Sequence, residues 1–208
     1  MQSSCSFRQI DVTGRDIRQN YRLLISAVVP RPIALVSTLA PSGVVNLAPF
    51  SFFNGVGGNP PAVIFSPCNN RHGKPKDTLV NLRVLGECVV HIVSRAIADQ
   101  MNATSFEFPP EVSELEKCGF TTVPSVHVRP PRVAESPVHM ECRIIQIVPV
   151  GNGPLAANIC IAEILAFHVA EGLFTSDGAV DIAKLDAIGR LGGELYSTTR
   201  DRFSMPRP

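Results

Sequence analysis

Arg71, Lys74 and Lys76 stand directly before Asp77 and Thr78 in the stretch RHGKPKDTLVNL. Asp77 is of a type favoured as an N-cap, Thr78 opens a first turn, and Gly86 is placed to end a helix at C′. A helix over Thr78–Leu85 therefore begins where the cations gather. Helix N-termini carry unpaired N–H groups and partial positive charge, and Lys or Arg beside them adds charge-assisted hydrogen bonds. The segment reads as a candidate phosphate site. A solvated basic loop before an ordinary capped helix is the other reading of the same residues.

Other chemistries find less support. GVGGNP (55–60) has Pro60 at the final glycine position of a dinucleotide fingerprint, and HGKP has Pro75 where a Walker A loop needs Ser or Thr. The cysteines at 5, 68, 88, 118, 142 and 160 form no CxxC pair. Cys88, Cys142 and Cys160 lie in apolar runs and read as small buried hydrophobes. Cys68, in the loop-like SPCNN, is the one candidate nucleophile, and no base stands near it in sequence. Cys88/His91 and His139/Cys142 are spaced by three, which puts each pair on opposite faces of a strand, so no metal is assigned. His91 reads as a satisfied core histidine. His127 and His168 are candidates for a nicotinamide site, against ordinary packing or surface placement.

The elements that must position such a site are mostly strands. IALVST (33–38), VVNLAPFSFF (44–53), AVIFS (62–66) and ECVVHIVS (87–94) are β-branched or aromatic runs, with APSG and GVGGNPP as separating turns. VHMECRII (138–145) alternates as a half-buried strand, and NICIAEILAFHV (158–169) is apolar on both faces, as a central strand would be. Helices are expected at Thr78–Leu85, Ala96–Ala103, Glu111–Cys118 and Asp181–Ala187. The pattern is mainly β, a β-barrel with peripheral helices.

Pro32–Asn70 is a run of 39 residues without Asp, Glu, Lys or Arg. At the chain's 18% charged residues, about seven would be expected. Six prolines and four glycines interrupt the run, so it is no membrane helix. Uncharged walls, backbone amides and small hydroxyls suit a flat apolar ligand with a polar rim, or a subunit interface. Pro49, which has no N–H, fits a strand edge facing a ligand. The net charge of +1 gives no footprint for nucleic acid, and the polar opening MQSSCSFRQIDVTGRDIRQN resembles no signal peptide, so a soluble, cytoplasmic protein is expected.

PRPIALVST, GVVNLAPFSFFNGVGGNPPAVIFSP, RHGKPKDTLVNL, ESPVHMECRI and RLGGELY resemble, in that order, the flavin reductase-like proteins of the FMN-binding split-barrel superfamily. The resemblance covers about Asn20 to Tyr196. It implies a Greek-key split β-barrel over residues 1–208, with extensions at about 1–19 and 197–208, assembled as a homodimer with flavin near the interface. By the same resemblance, Ser37 and Thr38, together with Asn46, Leu47, Ala48, Pro49, Phe50 and Ser51, would meet the flavin ring. Arg71, Lys76 and Thr78 would hold the FMN phosphate, with Asp77 fixing the loop as a cap. Arg31 and Arg190 would reach the cofactor or form a structural ion pair. The implied activity is hydride transfer from NADH or NADPH to FMN, with FAD as the other flavin and a partner monooxygenase as one destination for the electrons. No catalytic side chain is assigned. A tightly bound FMN electron carrier and a non-catalytic flavin-binding dimer are the alternatives.

Overall fold

The computed structural model describes residues 6–207, so Cys5 lies outside the described residues. Its helices are α1 (Ile17–Ala27), α2 (Asp77–Leu85), α3 (Ala98–Ala103), α4 (Glu114–Lys117) and α5 (Ile182–Leu185). The first six strands are β1 (Arg31–Pro32), β2 (Ala34–Leu39), β3 (Val45–Phe50), β4 (Phe53–Gly58), β5 (Pro61–Phe65) and β6 (Glu87–Ile92). The rest are β7 (Thr122–Val123), β8 (Arg132–Val133), β9 (Val138–Val150), β10 (Ala157–Val169), β11 (Ile188–Arg190) and β12 (Tyr196–Thr198).

Seven strands form one antiparallel sheet in the order β3-β2-β6-β9-β10-β5-β4. Its edge strands, β3 and β4, are consecutive in the chain and separated only by Ser51 and Phe52. Such a short link forces the sheet to coil until its two edges meet at that corner, which makes a barrel split along one seam. Val36, Phe50, Phe65, Val90, Met140 and Ile164 fill the inside, with Leu79 and Leu82 of α2 packed among them. Alternation along the strands sends Ile33, Leu35 and Leu47 to the other face. There they join Met101 of α3, Leu115 of α4, Phe120 and Val133 in a second core. Two cores, one on each side of β2, explain why its first five residues are all buried.

Several expectations need correction. The run 44–53 is two strands, broken at Ser51–Phe52, and the GVGG expected as a turn is most of β4. Its glycines serve an exposed edge strand held by backbone pairing to β5, with a bulge between Gly55 and Gly57. VHMECRII is not half-buried at its start. Val138–Cys142 is buried on both faces, because the segment around β7 and β8 covers the side of His139 and Glu141. The expected helix over 111–118 shortens to Glu114–Lys117, that over 181–187 to Ile182–Leu185, and 95–97 is a 3₁₀ turn leading into α3. Helix α1 was not foreseen. Asp16 caps it by accepting from the N–H groups of Arg18 and Gln19.

Candidate functional site

A cleft of about 210 Å³ opens between β3, the N-terminus of α2 and the segment Thr104–Phe108. Asn46, Ala48 and Pro49 supply one wall, and Asn70, Pro75, Lys76, Asp77 and Thr78 supply another. Six of the residues expected at a flavin site, Asn46, Ala48, Pro49, Lys76, Asp77 and Thr78, thus share one cavity.

The expected capping differs. Lys76, not Asp77, is the N-cap residue of α2, and no side chain bonds to the first turn. Pro75 fixes the entering chain, the helix starts one residue early, and Asp77 falls inside the first turn where its carboxylate does not cap. The helix therefore offers uncapped first-turn N–H groups beside a lysine, facing the cleft. Gly86 ends the helix in the left-handed conformation, as expected.

Asn70 holds the loop instead of Asp77. Its Oδ1 accepts from the N–H groups of His72 and Lys74, each at 3.0 Å, and its carbonyl accepts from Gly73 N–H at 3.0 Å. Asn at the first position of a turn and Gly at the fourth is the signal that could have located it. Gly73 has φ of +76°, and a Cβ there would lie 3.2 Å from the Gly153 backbone, so the turn fits no other residue easily.

Behind the cleft a buried polar network fixes the walls to each other. Asn46 donates from Nδ2 to Thr78 Oγ1 at 2.8 Å and to Thr38 Oγ1 at 3.3 Å, while Asn81 donates to Thr38 Oγ1 at 3.1 Å. These bonds tie β3 to α2, so the cavity is preorganised. On the outer edge of β3, Ser113 Oγ donates to Val45 O at 2.7 Å and Leu47 N–H donates to Glu114 Oε2 at 3.0 Å. Short α4 thereby protects that edge. Burial pushes the Glu114 carboxyl up, against the opposing pull of the Leu47 amide. Burial, and then the neighbouring Glu111, push Asp77 up as well.

A second cavity of about 190 Å³ adjoins the first through Pro49 and Ser105 and holds Arg31, Ser51 and Arg190. The structural ion pair considered for these arginines is not formed with any carboxylate among the described residues. Arg31 donates instead to the carbonyls of Ile25, Val28 and Leu191, tying the end of α1 to the start of the closing RLGG segment.

The other expected residues lie elsewhere. Ser37 is fully buried and donates to Pro131 O at 2.7 Å, and Leu47 and Phe50 are core residues. Arg71 is exposed, its Nε donating to His72 Nε2 at 3.2 Å. His127 is exposed, and His168 bonds through Nε2 to Glu141 at 2.7 Å; neither lines the cleft. Burial raises the Cys68 thiol, the opposite of nucleophile activation, although Lys76 pulls it back. His91 is a satisfied core histidine: Nδ1 donates to Leu35 O at 2.8 Å and Nε2 accepts from Val133 N–H at 2.9 Å. Ser105, Phe106, Phe108 and Glu114 were missed, since nothing in their spacing marks them as cleft residues.

The coiled, split sheet with the start of α2 beside its edge strand β3 is a split-barrel architecture, and comparison with known proteins says which family it belongs to. Residues 26–183 match the family model described as "Flavin reductase like domain", and the chain belongs to that family. An uncharacterized protein of Halalkalibacterium halodurans is 42% identical over 193 residues, covering 92% of each chain. Nitrilotriacetate monooxygenase component B of Bacillus cereus superposes with a TM-score of 0.92 at 34% identity, over 97% of this chain and 100% of that one. The 2-nitrobenzoate 2-nitroreductase of Pseudomonas fluorescens superposes with a TM-score of 0.86 at 32% identity, over 97% and 96% respectively.

Proposed function

We propose that the cleft binds FMN and that the protein is a flavin reductase using NADH or NADPH. One observation carries the reading: the uncapped, lysine-flanked start of α2 opens into a cavity whose other wall, β3, is uncharged. The donor set fits the cofactor. First-turn amides of α2 and Lys76 suit a phosphate, while the backbone and side chains of Asn46, Ala48 and Pro49 suit an uncharged ring with a polar edge. Thr78 is drawn into that wall by Asn46 and needs no further partner to hold its place. When bound, flavin supplies the capacity to accept hydride from a reduced nicotinamide. The protein's part is to bind, orient and shield. Family membership supports flavin chemistry, and the likeness to a monooxygenase component supports a partner monooxygenase as consumer of the electrons.

NADH or NADPH oxidation is expected to depend on added FMN and to be unchanged by EDTA. Loss of turnover with chelator and its return with zinc or iron would overturn the assignment. Parallel titration with FMN and FAD decides between the flavins. Retention of colour through long dialysis would favour the tightly bound electron carrier.

We also propose a homodimer in the cytoplasm. No described helix is long and apolar enough to cross a membrane. Helix α1 buries none of its residues, and Leu23, Leu24, Val28 and Val29 at its end are 41–50% exposed. An apolar face of this kind suits a second copy, and obligate interfaces bury about 2,000 Å² or more. Light scattering at micromolar concentration should give about twice 22.4 kDa; a clean monomer would reject the dimer.

A further inference from the structure

The second cavity carries positive charge that no carboxylate among the described residues answers. Arg31 is 4% exposed, and Arg190 lies opposite it in register across β1 and β11. No Asp or Glu lines the cavity, and neither guanidinium lies within salt-bridge distance of a carboxylate among the described residues. A guanidinium has five N–H donors. Arg31 uses Nε on Ser51 Oγ, Nη1 on Ile25 O and Val28 O, and Nη2 on Leu191 O. Arg190 uses only two, Nη1 on Tyr196 OH and Nη2 on Gly193 O, while its charge rests 4.6 Å over the Tyr196 ring. Arg190, which is half-buried, therefore keeps most of its fork free beside the buried Arg31. Burying the Arg31 charge without a carboxylate partner is costly, and an anion between the two guanidinium groups would offset that cost.

The shape of that anion follows from the rest of the wall. Ile25, Ile33 and Met101 are apolar, and the Tyr21 and Tyr196 rings are flat. Arg31 is held by three carbonyls and cannot swing away to solvent. A planar guanidinium fork matches a planar carboxylate in two parallel hydrogen bonds. We propose that this cavity binds a small aromatic carboxylate, held by Arg190 with Arg31 behind it, as the second ligand beside the flavin cleft. The location beside flavin rests on the function proposed above; the binding does not.

The test uses benzoate, its neutral counterpart benzamide, and inorganic phosphate, titrated by calorimetry into protein with and without FMN. FMN binding is followed separately by fluorescence quenching, so failure of the flavin reading shows itself independently of benzoate. Benzoate should bind at least tenfold more tightly than benzamide, with phosphate weaker than benzoate. Arg190→Gln should weaken benzoate ten- to hundredfold and leave benzamide unchanged, and Arg190→Lys should restore part of the loss. If the variants do not fold, the benzoate–benzamide contrast in the native protein still decides. Equal binding of benzoate and benzamide, no binding of benzoate, or phosphate binding as tightly as benzoate would each overturn the proposal.

Discussion

Lys76→Ala is expected to weaken FMN binding ten- to hundredfold while leaving riboflavin binding where it was. The magnitude follows from the loss of one charge-assisted hydrogen bond to a doubly charged phosphate, worth about 1.5–3 kcal/mol. The contrast follows from position. Lys76 is exposed, makes no capping bond to the first turn of α2, and lies at the end of the cleft where the helix amides emerge. Its truncation removes no contact from either core, so the fold and the β3 wall proposed for the flavin ring should survive. Arg71→Ala should have the smaller effect, because Arg71 is exposed and already bonded to His72 rather than aimed into the cleft. Fluorescence titration with both flavins is the measurement. Equal losses for FMN and riboflavin, or no loss for either, would return RHGKPKDT to the status of a solvated loop.

The parts of this arrangement that sequence could disclose are those encoded in neighbours. The strands β2, β5, β6 and β10 are runs of β-branched and apolar residues, and the start of α2 announces itself by its cations and by Gly86. Helix α1 carries Ile17, Tyr21, Leu24, Ile25 and Val28 at helical spacing behind the capping Asp16, a legible signal masked by the polar residues between them. Strand β4 was illegible for a different reason: Gly55, Gly57 and Gly58 contribute no side-chain pattern, and only pairing with β5 makes them a strand. Arg31 is the extreme case. Its role depends on Leu191, 160 residues away, and no local rule connects the two. The resemblance of PRPIALVST and RLGGELY to a family left Arg31 and Arg190 between the cofactor and a structural ion pair, whereas the structure alone shows that the two segments are tied to each other.

Glu141→Gln is expected to cost about 3 kcal/mol at neutral pH, as breaking a fully buried charged hydrogen-bond group does. Glu141 has no exposed surface and accepts from Val126 N–H at 2.9 Å, His127 N–H at 2.6 Å and His168 Nε2 at 2.7 Å, with Arg132 Nε at 3.9 Å. A glutamine amide turns one acceptor into a donor, so at least one of those N–H groups must lose its partner. For a chain of this length the loss corresponds to a fall in Tm of roughly 6–12 °C. The pH dependence makes the claim specific. Burial pushes the Glu141 carboxyl up, but the Val126 and His127 amides together with His168 outweigh it and hold the group below the usual carboxylate range. A carboxylate lowered on folding stabilises above its ordinary pKa, and that contribution is lost as pH falls through the native value. His91 acts earlier in the same direction: burial, then His139, lower it from 6.5 to about 3, so keeping it neutral costs stability progressively below pH 6.5. That loss reaches on the order of 4 kcal/mol near pH 3 and is shared by both proteins. Urea unfolding of the two proteins between pH 7 and pH 3 should therefore show parallel declines down to about pH 4.5, where carboxylates ordinarily titrate, and a narrowing gap below it. A variant as stable as the parent at pH 7, or a gap that stays constant to pH 3, would show that Glu141 does not hold the 126–127 segment as a buried anion.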